Sequence, residues 1–193
     1  GMELSFSNEL ARSVKGYTGI MELQPGQIDW GNWNSQPLPG AVRMWVWHCF
    51  ALNDQFVCTY RFRQPLFGAE QFHKGIMEPD GVTVSPGGQE YVKAIEEIKK
   101  LPVLSRKEMA VPVELVSRNT AFLWKQDNLM SLETVKLSQQ WDTWDHYYTY
   151  YQKLKTMGCP VTFLNESDSF DVQKYPFMVA PAYEMVDSDL IQK

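Results

Sequence analysis

The chain has 193 residues, enough for one ordinary domain or parts of two, and its composition (44% hydrophobic, 13% aromatic, seven tryptophans) supplies a core without difficulty. A formal net charge of −5 with no basic run argues against a nucleic-acid surface. No stretch approaches the roughly 20 apolar residues that span a bilayer and no basic-then-apolar export signal opens the chain, so no membrane partner and a cytoplasmic location are expected; Gly1 ahead of Met2 looks like a cloning scar.

Residues 17–23 (YTGIMEL) read as a short buried strand. The loop that follows, 24–40 (QPGQIDWGNWNSQPLPG), is longer than a mere connection requires, and Ile28, Trp30 and Trp33 anchor it against disorder. Residues 41–52 (AVRMWVWHCFAL) are apolar nearly all round and suit a buried helix, opened by Pro39-Gly40 and closed by Asn53 as a left-handed cap. Residues 55–62 (QFVCTYRF) predict a strand, and 63–88 a second long loop running into the turn-rich VSPGGQ. In 89–101, Tyr91, Ile95 and Ile98 keep a helical period on a charged background. Strand, loop and helix, twice over, is the rhythm of a parallel α/β sheet or barrel.

The character changes after Leu104. AVPVELVS (110–117) reads as a strand weakened by Pro112. Residues 137–157 predict a helix with Trp141, Trp144, Tyr148 and Tyr151 along one stripe, a surface for self-association, stopped by Gly158 and Pro160. PVTFLN (160–165) and YPFMVAPA (175–182) predict short apolar strands, and Asp187-Ser188-Asp189 the cap of a further helix. Cys49, Cys58 and Cys159 lack ligand spacing. Cys49 and Cys58, in apolar company, are expected to act as small hydrophobes, and the odd count fits a reducing compartment.

The candidates for chemistry are carboxylates. Glu22 ends the first strand, and Glu70 lies in the loop after the second with His73 three residues on. On a helical turn Glu70 and His73 would share a face. As a metal site the pair lacks further ligands, so neither metal nor cofactor is expected. The plainer alternative is a solvated loop acid and a loop histidine with one backbone partner. Carboxylates beside tryptophan suggest sugar, because an indole offers a flat face to the C–H side of a pyranose while Glu, His, Asn and Arg reach its hydroxyls. Trp30, Trp33, Asn34, Arg63 and Glu70 supply such a setting; Trp45 and Trp47 are expected in the core.

The run MELQPGQIDWGNWNSQPLPGAVRMWVWHCFA, followed by YRFRQPLFGAEQFHKGI, resembles glycoside hydrolase family 42, the β-galactosidases. That family shows an E-x-Q-P-G-x-x-x-W run, a PG-x-x-R-x-W-x-W helix and an R-Q…G-x-E-Q-x-H loop. YYQKLKTMGCPVTFLN and YPFMVAPAYEM are similar to the start of the family's middle domain, a Rossmann-like (flavodoxin or glutamine-amidotransferase-like) unit that binds no nucleotide and holds the enzyme as a trimer. The resemblance implies an α/β fold: residues 1–104 as the C-terminal portion of a (β/α)8 barrel, and 105–193 as the beginning of the Rossmann-like trimerisation domain. It implies Glu22 as the nucleophile of a retaining β-galactosidase. It also implies Trp30 as a wall of the galactose subsite, and Glu70 and His73 as its hydrogen-bonding pair. Substrate would be a terminal β-galactoside, with a homo-oligomer, or the missing barrel portion, as protein partner.

One departure is as informative as the match. The family's acid/base glutamate follows an asparagine on an earlier strand, and neither Asn8-Glu9, in a helix-like segment, nor Asn165-Glu166, in the second domain, stands in that place. The chain is therefore expected to be a fragment, nearly inactive alone, with a non-catalytic assembly or sugar-binding role as the alternative. A third reading makes Glu22 and Glu70 the complete pair of a smaller glycosidase. Nucleotide binding is not supported, since no Gly-rich phosphate loop follows any strand.

Overall fold

Parallel strands alternating with helices build both halves of the molecule. In a computed structural model that describes residues 1–102, 118–124, 143–181, 183, 186 and 188–192, the elements run in chain order. They are α1 (Met2–Lys15), β1 (Ile20–Leu23), α2 (Ala41–Ala51), β2 (Val57–Thr59), α3 (Pro86–Ile98), β3 (Thr120–Trp124), α4 (Thr143–Thr156), β4 (Val161–Asn165), β5 (Phe177–Val179) and α5 (Ser188–Gln192). Two units result: Tyr17–Leu104, and Gly1–Gly16 together with Ser105–Lys193. A boundary expected only at 104 thus has a counterpart at Gly16, and α1 groups with the second unit.

In the unit Tyr17–Leu104, β1 and β2 pair in parallel, Ile20 opposite Val57 and Leu23 opposite Thr59. Helix α2 starts where Gly40 takes a φ of 89° and is followed by Asn53 at φ 60°, the left-handed cap its sequence predicts. Its buried residues are Val42, Val46 and Cys49, and Val42 and Val46 pack with Tyr91 and Ala94 of α3. Burial pushes the Cys49 thiol up to about 11, so that cysteine is an inert hydrophobe.

Two glutamates of α3, two turns apart, clamp α2. Glu90 accepts the backbone N–H of Gly40 at 2.6 Å and of Arg43 at 2.9 Å, capping α2 from outside its own sequence. Glu97 Oε2 accepts from Arg43 Nε at 2.8 Å, from Arg43 Nη2 at 2.7 Å and from Trp47 Nε1 at 2.9 Å. Tyr91, whose phenol burial pushes up to about 12, donates to the Leu23 carbonyl at 3.4 Å and so supports the end of β1.

Three expectations for this unit change. Strand β1 is not buried: Met21 and Glu22 are exposed, β2 being its neighbour among the described residues. Strand β2 is three residues long, because the chain leaves the ladder at Tyr60. The SPGGQ run is a helix start and not the end of a loop. Ser85 caps it, its Oγ accepting the Gly88 N–H at 3.0 Å while its hydroxyl donates to Gly75 O at 2.7 Å, and Pro86 suits the first helical position. A β-carbon on Gly87 would strike the Pro25 carbonyl, and one on Gly88 the Ile76 carbonyl, so the glycines serve close packing.

The second unit is a three-stranded parallel sheet in the order β4-β3-β5. Thr120–Trp124 pairs residue for residue with Val161–Asn165, and Thr120–Phe122 with Phe177–Val179. Alternation along β3 builds two cores. Phe122 and Trp124 face Phe6 of α1, Tyr147 and Tyr151 of α4, and Phe163. Ala121 and Leu123 face Leu164 and, around it, Phe170, Tyr175, Tyr183 and Leu190. In α4 the buried pair is Tyr147 and Tyr151; Trp144 is 44% exposed, and Tyr148 sits edge-on to Phe6 at 5.5 Å. Trp141 and the strand expected at 110–117 lie outside the described residues. Gly158, at φ 74°, ends the α4 turn as predicted.

Candidate active site

Because β1 and β2 are parallel, both release the chain on the same edge. Glu22, one residue from the end of β1, is exposed there. Tyr60 and Arg61, joined by a cis peptide, follow β2 directly. Both hold the same oxygen of Glu70: the Tyr60 hydroxyl donates to Oε2 at 2.6 Å and Arg61 Nη1 at 2.9 Å. The Arg61 guanidinium lies 5.1 Å from the Tyr60 ring centroid, a cation–π contact. The bond to Glu70 pushes the Tyr60 phenol up, desolvation and the charges of Glu70 and Glu22 add to that, and Arg61 opposes it. Tyr60 therefore remains a donor, and Glu22 lies near enough for its charge to reach the phenol.

His73 has no exposed surface. Its Nε2 faces Gln24 Oε1 at 2.7 Å and its Nδ1 faces Asp29 Oδ1 at 3.3 Å. The Asp29 side chain is 8% exposed, and its Oδ2 has no hydrogen-bond partner among the described residues. The imidazole meets the Tyr60 ring at 5.4 Å and 90° and the Trp30 ring at 6.0 Å and 69°, edge-to-face geometries that aromatic quadrupoles favour. The His73 N–H donates to the Glu70 carbonyl at 3.0 Å, closing the turn between them. One side chain thus joins the exit of β1, the 24–40 loop, the exit of β2 and the Glu70 turn. The indole of Trp30 is left 65% exposed.

Trp30, Glu70 and His73 meet at Tyr60 or at the ring it touches, and the charge of Glu22 reaches the Tyr60 phenol. Of the wider setting, Arg63 is elsewhere: its guanidinium lies against Gly81 and its backbone against Gly75, and Arg61 is the arginine at Glu70. Asn34 turns back into its own loop, bonding both backbone groups of Gly31. Trp45 and Trp47 pack beside the Val42–Val46–Tyr91 cluster, as expected for core residues, whereas Cys58 is exposed. His73 bonds through side chains and not to backbone alone. Tyr60, Arg61, Gln24 and Asp29 are site residues that sequence reasoning missed. Their signal was position only, immediately after β2 and inside the E-x-Q-P-G-x-x-x-W run. Among the described residues no group of three or more His, Cys, Asp or Glu could hold a metal ion.

Residues 1–101 match the glycoside hydrolase 42 family, described as β-galactosidase, and residues 118–193 the β-galactosidase trimerisation domain. The chain belongs to glycoside hydrolase family 42. The β-galactosidase BgaH of Haloferax lucentense is 30% identical over 97% of this chain and 26% of its own length. That of Thermus thermophilus is 29% identical over 97% of this chain and 27% of its own. Among solved structures, the β-galactosidase of the Antarctic haloarchaeon Halorubrum lacusprofundi superposes with a TM-score of 0.83 at 27% identity, covering 99% of this chain and 27% of that one. This family 42 chain therefore spans about a quarter of the length of the relatives it matches.

Proposed function

We propose that this chain carries the nucleophile and part of the galactose subsite of a retaining β-galactosidase. The observation that supports this best is the meeting of Trp30, Glu70 and His73 around Tyr60, with the charge of Glu22 reaching its phenol, from two separate stretches of the sequence. In this reading Glu22 attacks the anomeric carbon, the aglycone leaves, and water then releases galactose from the galactosyl-enzyme ester. Trp30 offers its exposed face to the apolar side of the ring. Glu70, with Oε2 occupied by Tyr60 and Arg61, has Oε1 to accept from a sugar hydroxyl. His73 reaches the sugar only by exchanging Gln24 or Asp29 for a hydroxyl; otherwise it holds Trp30 and Glu70 in place.

The acid/base is a separate group. Glu9 pairs with Lys155 at 3.0 Å and Glu166 accepts from the Tyr183 hydroxyl at 2.6 Å, both in the second unit. Glu70 already holds a guanidinium and a phenol, which suits an acceptor and not a proton donor, so the reading of Glu22 and Glu70 as a complete pair loses support. Without general acid assistance, about 10²–10⁴-fold in rate is forfeited. The parallel β1–β2 pair with α2 and α3 is consistent with the closing part of a (β/α)8 barrel. The order β4-β3-β5, with later strands on both sides of the first, is consistent with the start of a Rossmann-like sheet.

An activated 2-fluoro-β-galactoside tests the assignment, because its leaving group departs without protonation. The chain should gain the mass of one fluorogalactosyl group on Glu22, and Glu22→Gln should gain none. A label elsewhere, or turnover of an ordinary galactoside that survives Glu22→Gln, would overturn the proposal.

A further inference from the structure

Glu70 is held by two donors on a single oxygen. The Tyr60 hydroxyl reaches Oε2 at 2.6 Å, in the range of a charge-assisted bond, and Arg61 Nη1 reaches the same atom at 2.9 Å. An ionised carboxyl has about four lone-pair sites, about two on each oxygen. Oε2 is therefore filled, and among the described residues no hydrogen bond reaches Oε1. A solvated glutamate turns about its last torsion, whereas this one has a fixed side and an open side.

The phenol that fixes Glu70 is itself held. Tyr60 follows β2 directly, and its N–H donates at 3.3 Å to the carbonyl of Leu23, the residue after Glu22. Its ring meets the His73 imidazole at 5.4 Å and 90°, with the Arg61 guanidinium 5.1 Å from the ring centroid. Backbone, imidazole and guanidinium thus aim the hydroxyl before any ligand arrives, which lowers the ordering cost of binding. A carboxylate with both oxygens free spans two neighbouring sugar hydroxyls, one to each oxygen; a carboxylate with one filled oxygen does not. We infer that Tyr60 is a positioning residue that sets specificity: by filling Oε2 it makes Glu70 read one sugar hydroxyl and not a vicinal pair. This rests on the galactoside reading of Glu70, which the test below separates from it.

The test measures binding of methyl β-galactoside and each of its monodeoxy forms by saturation-transfer NMR, for the whole chain, Tyr60→Phe, Glu70→Gln and the double variant. With Tyr60 in place, Glu70→Gln should weaken binding about tenfold, the scale of one hydrogen bond to a charged group, and should cost nothing for one deoxy sugar only. In the Tyr60→Phe background, which keeps the ring and removes the hydroxyl, the cost should shrink for two neighbouring deoxy sugars and vanish for neither. A second readout needs no sugar. The bond to Glu70 is the foremost cause that holds the Tyr60 phenol above its ordinary value, so its ring ¹³C signal, assigned with Tyr60→Phe, should titrate at lower pH in Glu70→Gln. If the deoxy-sugar profile is the same with and without the Tyr60 hydroxyl, or Tyr60 titrates alike in both chains, the inference is refuted while the galactoside reading stands. If Glu70→Gln costs nothing for any sugar, or the chain binds none, that reading fails and the inference falls with it.

Discussion

His73 shows how one buried side chain organises a surface. Replacing it with alanine removes both of its side-chain hydrogen bonds and its ring contacts to Tyr60 and Trp30. Gln24 and Asp29 would be left without that partner, and each orphaned buried group costs about 1–3 kcal/mol. We expect His73→Ala to lower the urea midpoint and to weaken galactoside binding together, whereas Glu70→Gln should weaken binding with little loss of stability. Equal stability in His73→Ala and the parent chain would show that the imidazole does not hold the loops. The sequence made Glu22, Trp30, Glu70 and His73 visible because their spacing and chemistry are local. Tyr60, Arg61, Gln24 and Asp29 were not visible, since their importance lies in partners that folding alone brings near.

Among elements, the α2–α3 pair has a pH signature. Hydrogen bonds from Arg43 and then Trp47 hold the Glu97 carboxyl below its ordinary value. A carboxylate lowered in the folded state contributes fully above its unfolded value, and that contribution is lost as pH falls through the folded one. The melting temperature of the chain should therefore exceed that of Glu97→Gln at neutral pH, and the gap should close in acid. A gap that stays constant would remove Glu97 from the account. Helices α2 and α3 were readable from period, Pro, Gly and Asn. The start of α3 was not, because Pro86-Gly87-Gly88 signals a turn unless the close approach to Pro25 and Ile76 is known. Strand β3 escaped detection altogether: all five of its residues are buried, so TAFLW lacks the alternation that marks a half-exposed strand.

For the whole molecule, the match of residues 118–193 to a trimerisation domain predicts self-association. Light scattering should give a mass above 22.4 kDa that rises with concentration; a monomer throughout would count against assembly through this region. Alternating strands and helices made the α/β class legible, but the grouping of α1 with the second unit was not, since Phe6 declares its side only by packing on Phe122's cluster. The carboxylate that caps α2 also has a meaning in time. Gly40 and Glu90 are 50 residues apart, and at about 5–20 residues per second a ribosome needs about 3–10 s to add that stretch. Through that interval the Gly40 and Arg43 N–H groups lack the carboxylate that caps them, so this helix is finished late, by a residue translated long after it.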